Sequence, residues 1–233
     1  MAEIIPAILP KDFNELEEKI SLVNGLVKTV QIDVCDGIFV PSKNWPHNGV
    51  DKIHFERLMK EEEGFPFWQD LDFEIDLMVQ NPENEIENWI KCGASRIVIH
   101  LESLNSISDF ITTAKNKYSL GKEGFKLLEI GMAVGLDFPE EEIEKWASSF
   151  DFVQFMGIKK VGYQDEPFDP VVLSKIKKLK EKMPAKIVSV DGGVHLNNAE
   201  EIVHAGADRL VSGSAIYESS DFVNAIRSFE NIK

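Results

Sequence analysis

Eight short apolar runs alternate with amphipathic stretches from one end of this chain to the other, and that rhythm leaves few folds open. The runs fall at Ile4–Leu9, Val27–Val34, Phe73–Val79, Arg96–His100, Leu127–Val134, Phe152–Ile158, Lys186–Val190 and Arg209–Ser212. Between them, apolar residues recur at a spacing of three and four, as helices require. In the first such stretch Phe13, Leu16, Ile20 and Val23 share a face, while Glu15, Glu17, Glu18 and Lys19 point to water. Further helices are expected at Ile53–Glu62, Pro82–Cys92, Ser106–Tyr118, Glu140–Ser148, Pro170–Met183, Asn197–Ala205 and Asp221–Phe229. Strands that are apolar on both faces belong to a buried parallel sheet, and eight strand–helix units close one. The expectation is a single (β/α)₈ TIM barrel, one domain over residues 1–233. The rival, an open doubly wound sheet, lacks a Gly-x-Gly-x-x-Gly motif at its first helix.

Hydrophobic residues at 43% supply a sizeable core. A net charge of −15 opposes binding to nucleic acid or to an anionic membrane surface. Cys35 and Cys92 are too far apart in sequence for a Cys-x-x-Cys pair. The acidic start carries no basic leader, and no apolar run reaches the roughly 20 residues of a membrane helix. The expected compartment is the cytoplasm.

Active sites of such barrels sit at the C-terminal ends of the strands. The loops at residues 37–50 and 159–169 belong to that rim, whereas the insertion at 61–71 belongs to the opposite one and reads as structural or as an oligomer contact. Asp33, Asp76 and Asp191 occupy strand ends, and alternation turns Gln31 to the same inward side as Asp33. A carboxylate in that position is costly unless paired, protonated or bound to a cation. Asp36 reads equally well as a loop cap, and His100 as a satisfied core histidine. Gly192-Gly193 and Gly213-Ser214, following strands 7 and 8, suit a phosphate held by backbone amides, or alternatively two tight turns. The lysines Lys159 and Lys160 read as solvated loop charges.

Several phrases appear in order: Ile5-Pro6-Ala7-Ile8-Leu9, Asp33-Val34-Cys35-Asp36-Gly37 with Phe39-Val40-Pro41, Asp76-Leu77-Met78-Val79, His100-Leu101-Glu102, Val190-Asp191-Gly192-Gly193-Val194 and Gly213-Ser214-Ala215-Ile216. Across nearly the whole chain they resemble the ribulose-phosphate 3-epimerase family, a ribulose-phosphate-binding barrel. The resemblance implies that Asp33 and Asp191 are acid and base on opposite faces of a small phosphorylated sugar, D-ribulose 5-phosphate becoming D-xylulose 5-phosphate in the pentose phosphate pathway. It implies phosphate binding by Gly192, Gly193, Gly213 and Ser214, a substrate pocket at Ala7, Cys35, Met78, Met156 and Gly162, and a homo-oligomer. It also implies a metal held by two aspartates and two histidines. Here Gln31 and Asp76 stand at the histidine positions, and Ala7 and Pro10 at serine positions. A metal set of Gln31, Asp33, Asp76 and Asp191 is all oxygen, which favours Mg²⁺ or Mn²⁺ over Zn²⁺; a metal-free site is the alternative. Epimerisation or cleavage of another sugar phosphate, such as allulose 6-phosphate or hexulose 6-phosphate, and non-catalytic sugar-phosphate binding also remain open at this point.

Overall fold

A computed structural model describes residues 1–118, 128–163 and 166–232. Leu127, the expected start of the fifth strand, and Gln164 and Asp165 of the strand-6 loop lie outside the described residues. The strands are β1 (Glu3–Ile8), β2 (Thr29–Cys35), β3 (Asp72–Met78), β4 (Arg96–His100), β5 (Glu129–Val134), β6 (Phe152–Met156), β7 (Ile187–Asp191) and β8 (Arg209–Ser212). Each pairs in parallel with the next, and β8 returns to β1, closing the barrel. The helices are α1 (Phe13–Val23), α2 (Lys52–Met59), α3 (Ile86–Lys91), α4 (Ile107–Lys117), α5 (Glu140–Ala147), α6 (Val171–Lys182), α7 (Ala199–Ala205), α8 (Ser214–Tyr217) and α9 (Phe222–Glu230). The segment expected as one helix from Pro82 divides into a 3₁₀ turn, Pro82–Asn84, and α3. Among the described residues no helix is long and apolar enough to cross a membrane.

The period of two sorts each strand. In β2, Val30, Ile32 and Val34 face outward into the main core, which the helices cover; Phe13, Leu16, Ile20 and Val23 of α1 belong to it. The intervening Gln31, Asp33 and Cys35 are left to the barrel interior. The same alternation directs Glu74, Asp76 and Met78 inward from β3, Gln154 from β6 and Asp191 from β7. Asp12 caps α1 by accepting from the Glu15 amide at 2.8 Å, and Ser106 caps α4 in the same way at 3.3 Å.

Ionic side chains plug the base of the barrel. Arg96 lies 3.4 Å from Glu3 and 3.4 Å from Glu129, and Arg209 lies 3.2 Å and 3.3 Å from the same two carboxylates. One layer further in, Glu74 is fully buried, 3.8 Å from the Arg96 guanidinium. Burial pushes its carboxyl up to about 7, outweighing the opposing pull of Arg209 and Arg96. At the rim opposite the site, Phe65 of the 61–71 insertion is buried against Phe73, with ring centroids 4.6 Å apart, while Phe67 and Trp68 are exposed. The insertion is therefore anchored to the core through Phe65.

Candidate active site

Strand register brings three carboxylates together. Asp33 pairs directly with Asp76 between β2 and β3, and Asp191 closes the group from β7, paired with Met156. One oxygen from each of the three lies within 4.8 Å of the others. Two glutamines hold the group. Gln31 Nε2 donates to Asp33 at 2.7 Å and to Asp191 at 2.9 Å. Gln154 Nε2 donates to Asp76 at 3.1 Å and Asp191 at 3.4 Å. The other oxygen of Asp76 lies 2.9 Å from His100 Nε2, and both of these side chains are buried.

Burial and then repulsion from Asp191 and Asp76 hold the Asp33 carboxyl well above its ordinary range, against the bond from Gln31. Asp191 is pushed up to about 7 by burial and by Asp76. Burial works against a charge on His100, yet the adjoining Asp76 carboxylate lifts its imidazole above the usual value. The cluster thus weakens the acidity of Asp33 and Asp191 and ties Asp76 to an imidazole that holds its proton more tightly than usual.

Three converging carboxylate oxygens can hold a metal ion. Gln31 turns its amide nitrogen toward two of them, and its buried Oε1 has no hydrogen-bond partner. A half-turn of that amide exchanges the two atoms and completes an oxygen set, so the residues present fit a hard cation.

The mouth above is a cavity whose walls include Asp33, Asp191, Ala7, Met78, Met156 and Gly162, all expected there. Gly192, Gly193, Gly213 and Ser214 line it as well. Asp76 and Gln31 lie beneath it with no exposed surface, and Cys35 packs below with Val40 and Met78, so Cys35 supports the pocket without lining it. Gly192 and Gly193 have positive φ of 96° and 66°. A Cβ on Gly192 would come 2.7 Å from Ile158, and one on Gly193 would come 2.7 Å from the Phe168 backbone nitrogen. Chain geometry alone therefore requires both glycines.

Asp36 is a loop cap. It accepts from the amides of Ile38 and Phe39 at 2.7 and 3.0 Å, and from Gln80 at 2.8 Å, tying the β2 and β3 loops together. Lys159 and Lys160 are exposed, near Asp169 and Glu166 at 3.4 and 3.9 Å. The sequence reading passed over Gln154, whose signal was an amide at an inward position of the otherwise apolar strand Phe152–Met156. Tyr163, Glu166 and His195, which belong to the loops after strands 6 and 7 and carry no distinguishing signal in the sequence, also stand in the cavity wall.

Comparison with known proteins agrees with this arrangement. Residues 3–217 match the ribulose-phosphate 3 epimerase family. The ribulose-phosphate 3-epimerase of Bacillus subtilis is 30% identical over 239 residues, covering 100% of both chains. That of Synechocystis is 28% identical, covering 99% of this chain and 94% of the relative. Among solved structures, 3-hexulose-6-phosphate synthase from Salmonella typhimurium superposes with a TM-score of 0.67 at 13% identity, over 99% of this chain and 97% of that one. KGPDC from Streptococcus mutans gives 0.65 at 14%, over 99% and 96%. At such identities these two show the shared barrel alone. The full-length match to the family and its curated members establishes more: this chain belongs to the ribulose-phosphate 3-epimerase family.

Proposed function

We propose that the chain interconverts D-ribulose 5-phosphate and D-xylulose 5-phosphate by passing a proton between two carboxyl groups across C3. The observation that carries this reading is the convergence of Asp33 and Asp191 at one cavity, each with its acidity weakened by burial and by neighbouring carboxylates. An ionised carboxylate takes the C3 proton. The electron pair of the broken C–H bond passes into a C2–C3 enediolate, and the protonated carboxyl on the far face returns a proton to C3. Because the roles reverse in the back reaction, each group must act in turn as acid and base, and burial with neighbouring carboxylates raises both above the ordinary carboxyl range. Without a cation, Gln31 bridges the two through its amide nitrogen.

In the same reading, Gly192, Gly193, Gly213 and Ser214 hold the phosphate, and Ala7, Met78, Met156 and Gly162 bound the sugar, with Cys35 behind them. A divalent cation, Mg²⁺ or Mn²⁺ in preference to Zn²⁺, held by Asp33, Asp76, Asp191 and Gln31 Oε1, would supply positive charge to the enediolate oxygens. The two free buried cysteines suit a reducing cytoplasm, where the reaction would serve the pentose phosphate pathway.

The test is NMR of D-ribulose 5-phosphate in D₂O with purified protein, with added Mg²⁺ or Mn²⁺ and with chelator. Deuterium at C3 together with D-xylulose 5-phosphate is the expected result. Tight ester binding with neither exchange nor epimer would overturn the enzymatic reading and leave a sugar-phosphate binder.

A further inference from the structure

The phosphate end of the cavity poses an electrostatic problem that the proposed reaction does not explain. A phosphate ester carries nearly two negative charges at neutral pH. The protein bears a net charge of −15, and three acids, Asp33, Glu166 and Asp191, stand in the cavity wall. Among the described residues no lysine or arginine lines this cavity. Lys160 points outward beside Glu166, and Lys159 belongs to a neighbouring hollow with Glu102 and Asp137. Among the described residues, the one in the wall able to carry a positive charge is His195.

His195 is well placed for that role. Its amide donates to Asn198 Oδ1 at 2.9 Å, and its carbonyl accepts from the amides of Asn198 and Ala199 at 3.1 and 3.0 Å. Asn198 Nδ2 in turn donates to the Gly193 carbonyl at 2.8 Å. These bonds make Gly193, His195 and the start of α7 one braced turn, so the backbone that would meet the phosphate also fixes the base of the imidazole. Among the described residues, the hydrogen bonds of His195 are those of its backbone.

We propose that His195 is the cationic partner of the bound phosphate, and that binding the dianion draws a proton onto its imidazole. This deepens the sugar-phosphate reading and rests on it. The titratable groups that share the cavity are Asp33 from β2, Tyr163 and Glu166 from the loop after β6, and Asp191 from β7; the turn between β8 and α8 contributes none. A dianion arriving beside an imidazole favours its charged form. By linkage, a ligand that prefers the protonated form promotes proton uptake.

Calorimetric titration of D-ribulose 5-phosphate at pH 7.5, in buffers of different ionisation enthalpy, measures this directly. At that pH the free ester is already largely dianionic, since its second pKa is about 6. The wild type should take up a sizeable fraction of a proton. His195→Gln should bind about tenfold more weakly and take up a smaller fraction of a proton, the remainder belonging to Asp33 and Asp191. His195→Lys, permanently charged, should recover the affinity without restoring the lost fraction. Circular dichroism of both variants controls for folding. Unchanged affinity and uptake in His195→Gln would overturn the inference while leaving the sugar-phosphate reading intact, and failure of His195→Lys to recover affinity would overturn the role of charge. Absence of binding by the wild type would overturn both readings.

Discussion

Replacing Glu74 by glutamine should make the protein more stable at alkaline pH, although it removes a carboxylate that lies 3.8 Å from an arginine. Two effects compete at this position. Arg209 and Arg96 favour the charged form, while complete burial opposes it, and burial prevails, lifting the carboxyl from 4.5 to about 7. The folded chain therefore holds this proton at pH values where the unfolded chain has released it. With more protons bound in the native state, stability falls as pH rises from 4.5 to about 7 and levels off above. Between pH 5.5 and 8.5 the change spans about 1.5 pKa units, or about 2 kcal/mol at 1.36 kcal/mol per unit. Glutamine preserves the shape and abolishes the titration. Both arginines keep Glu3 and Glu129, so neither is left without a counter-charge. Urea unfolding of the wild type and Glu74→Gln in chelator, at those two pH values, isolates the residue, because other titrating groups largely cancel between the proteins. Both values also lie above the sequence pI near 4.8, where association would interfere. The stability difference should move toward the variant by about 2 kcal/mol on going to pH 8.5. A pH-independent difference, or one that moves toward the wild type, would show that the arginines outweigh burial and would refute the reasoning.

Asp33→Asn and Asp191→Asn should each lower turnover by about 10²–10⁴-fold, read as C3 deuterium exchange. Neither should lower the melting temperature in chelator, since each removes one member of a mutually repelling buried group. Gln31→His should move metal preference toward Zn²⁺, seen by competition calorimetry, and unchanged selectivity would remove residue 31 from the ligand set. His100→Ala leaves the buried Asp76 without its hydrogen-bond partner at 2.9 Å and should cost about 1–3 kcal/mol of unfolding free energy in urea titration at neutral pH.

The strands were legible because being buried on both faces leaves almost no choice of residue, so apolar runs marked all eight to within a few positions. The acids were legible for the converse reason, since an aspartate at an inward strand position is too costly to arise without a compensating partner. The glycines were legible as residues but not as a function. The contacts with Ile158 and Phe168 show that Gly192 and Gly193 would be required whether or not a phosphate binds. The two glycines therefore do not by themselves mark a phosphate site.

Contacts between distant strands were not legible. Position by position, Gln31 and Asp76 look like two separate losses of an imidazole. In the folded chain Asp76 is bonded to His100, 24 residues away, and to Gln154, 78 residues away. An imidazole is thus still present in the cluster, but as the partner of a carboxylate. The Asp76 carboxylate strengthens that imidazole's hold on a proton, and Gln154 ties the pair to Asp191. In the proposed reading such an exchange would change the ligand type from nitrogen to oxygen while nearly conserving local charge when His100 is protonated, and so keep a similar electrostatic setting around the two carboxylates proposed to move the proton.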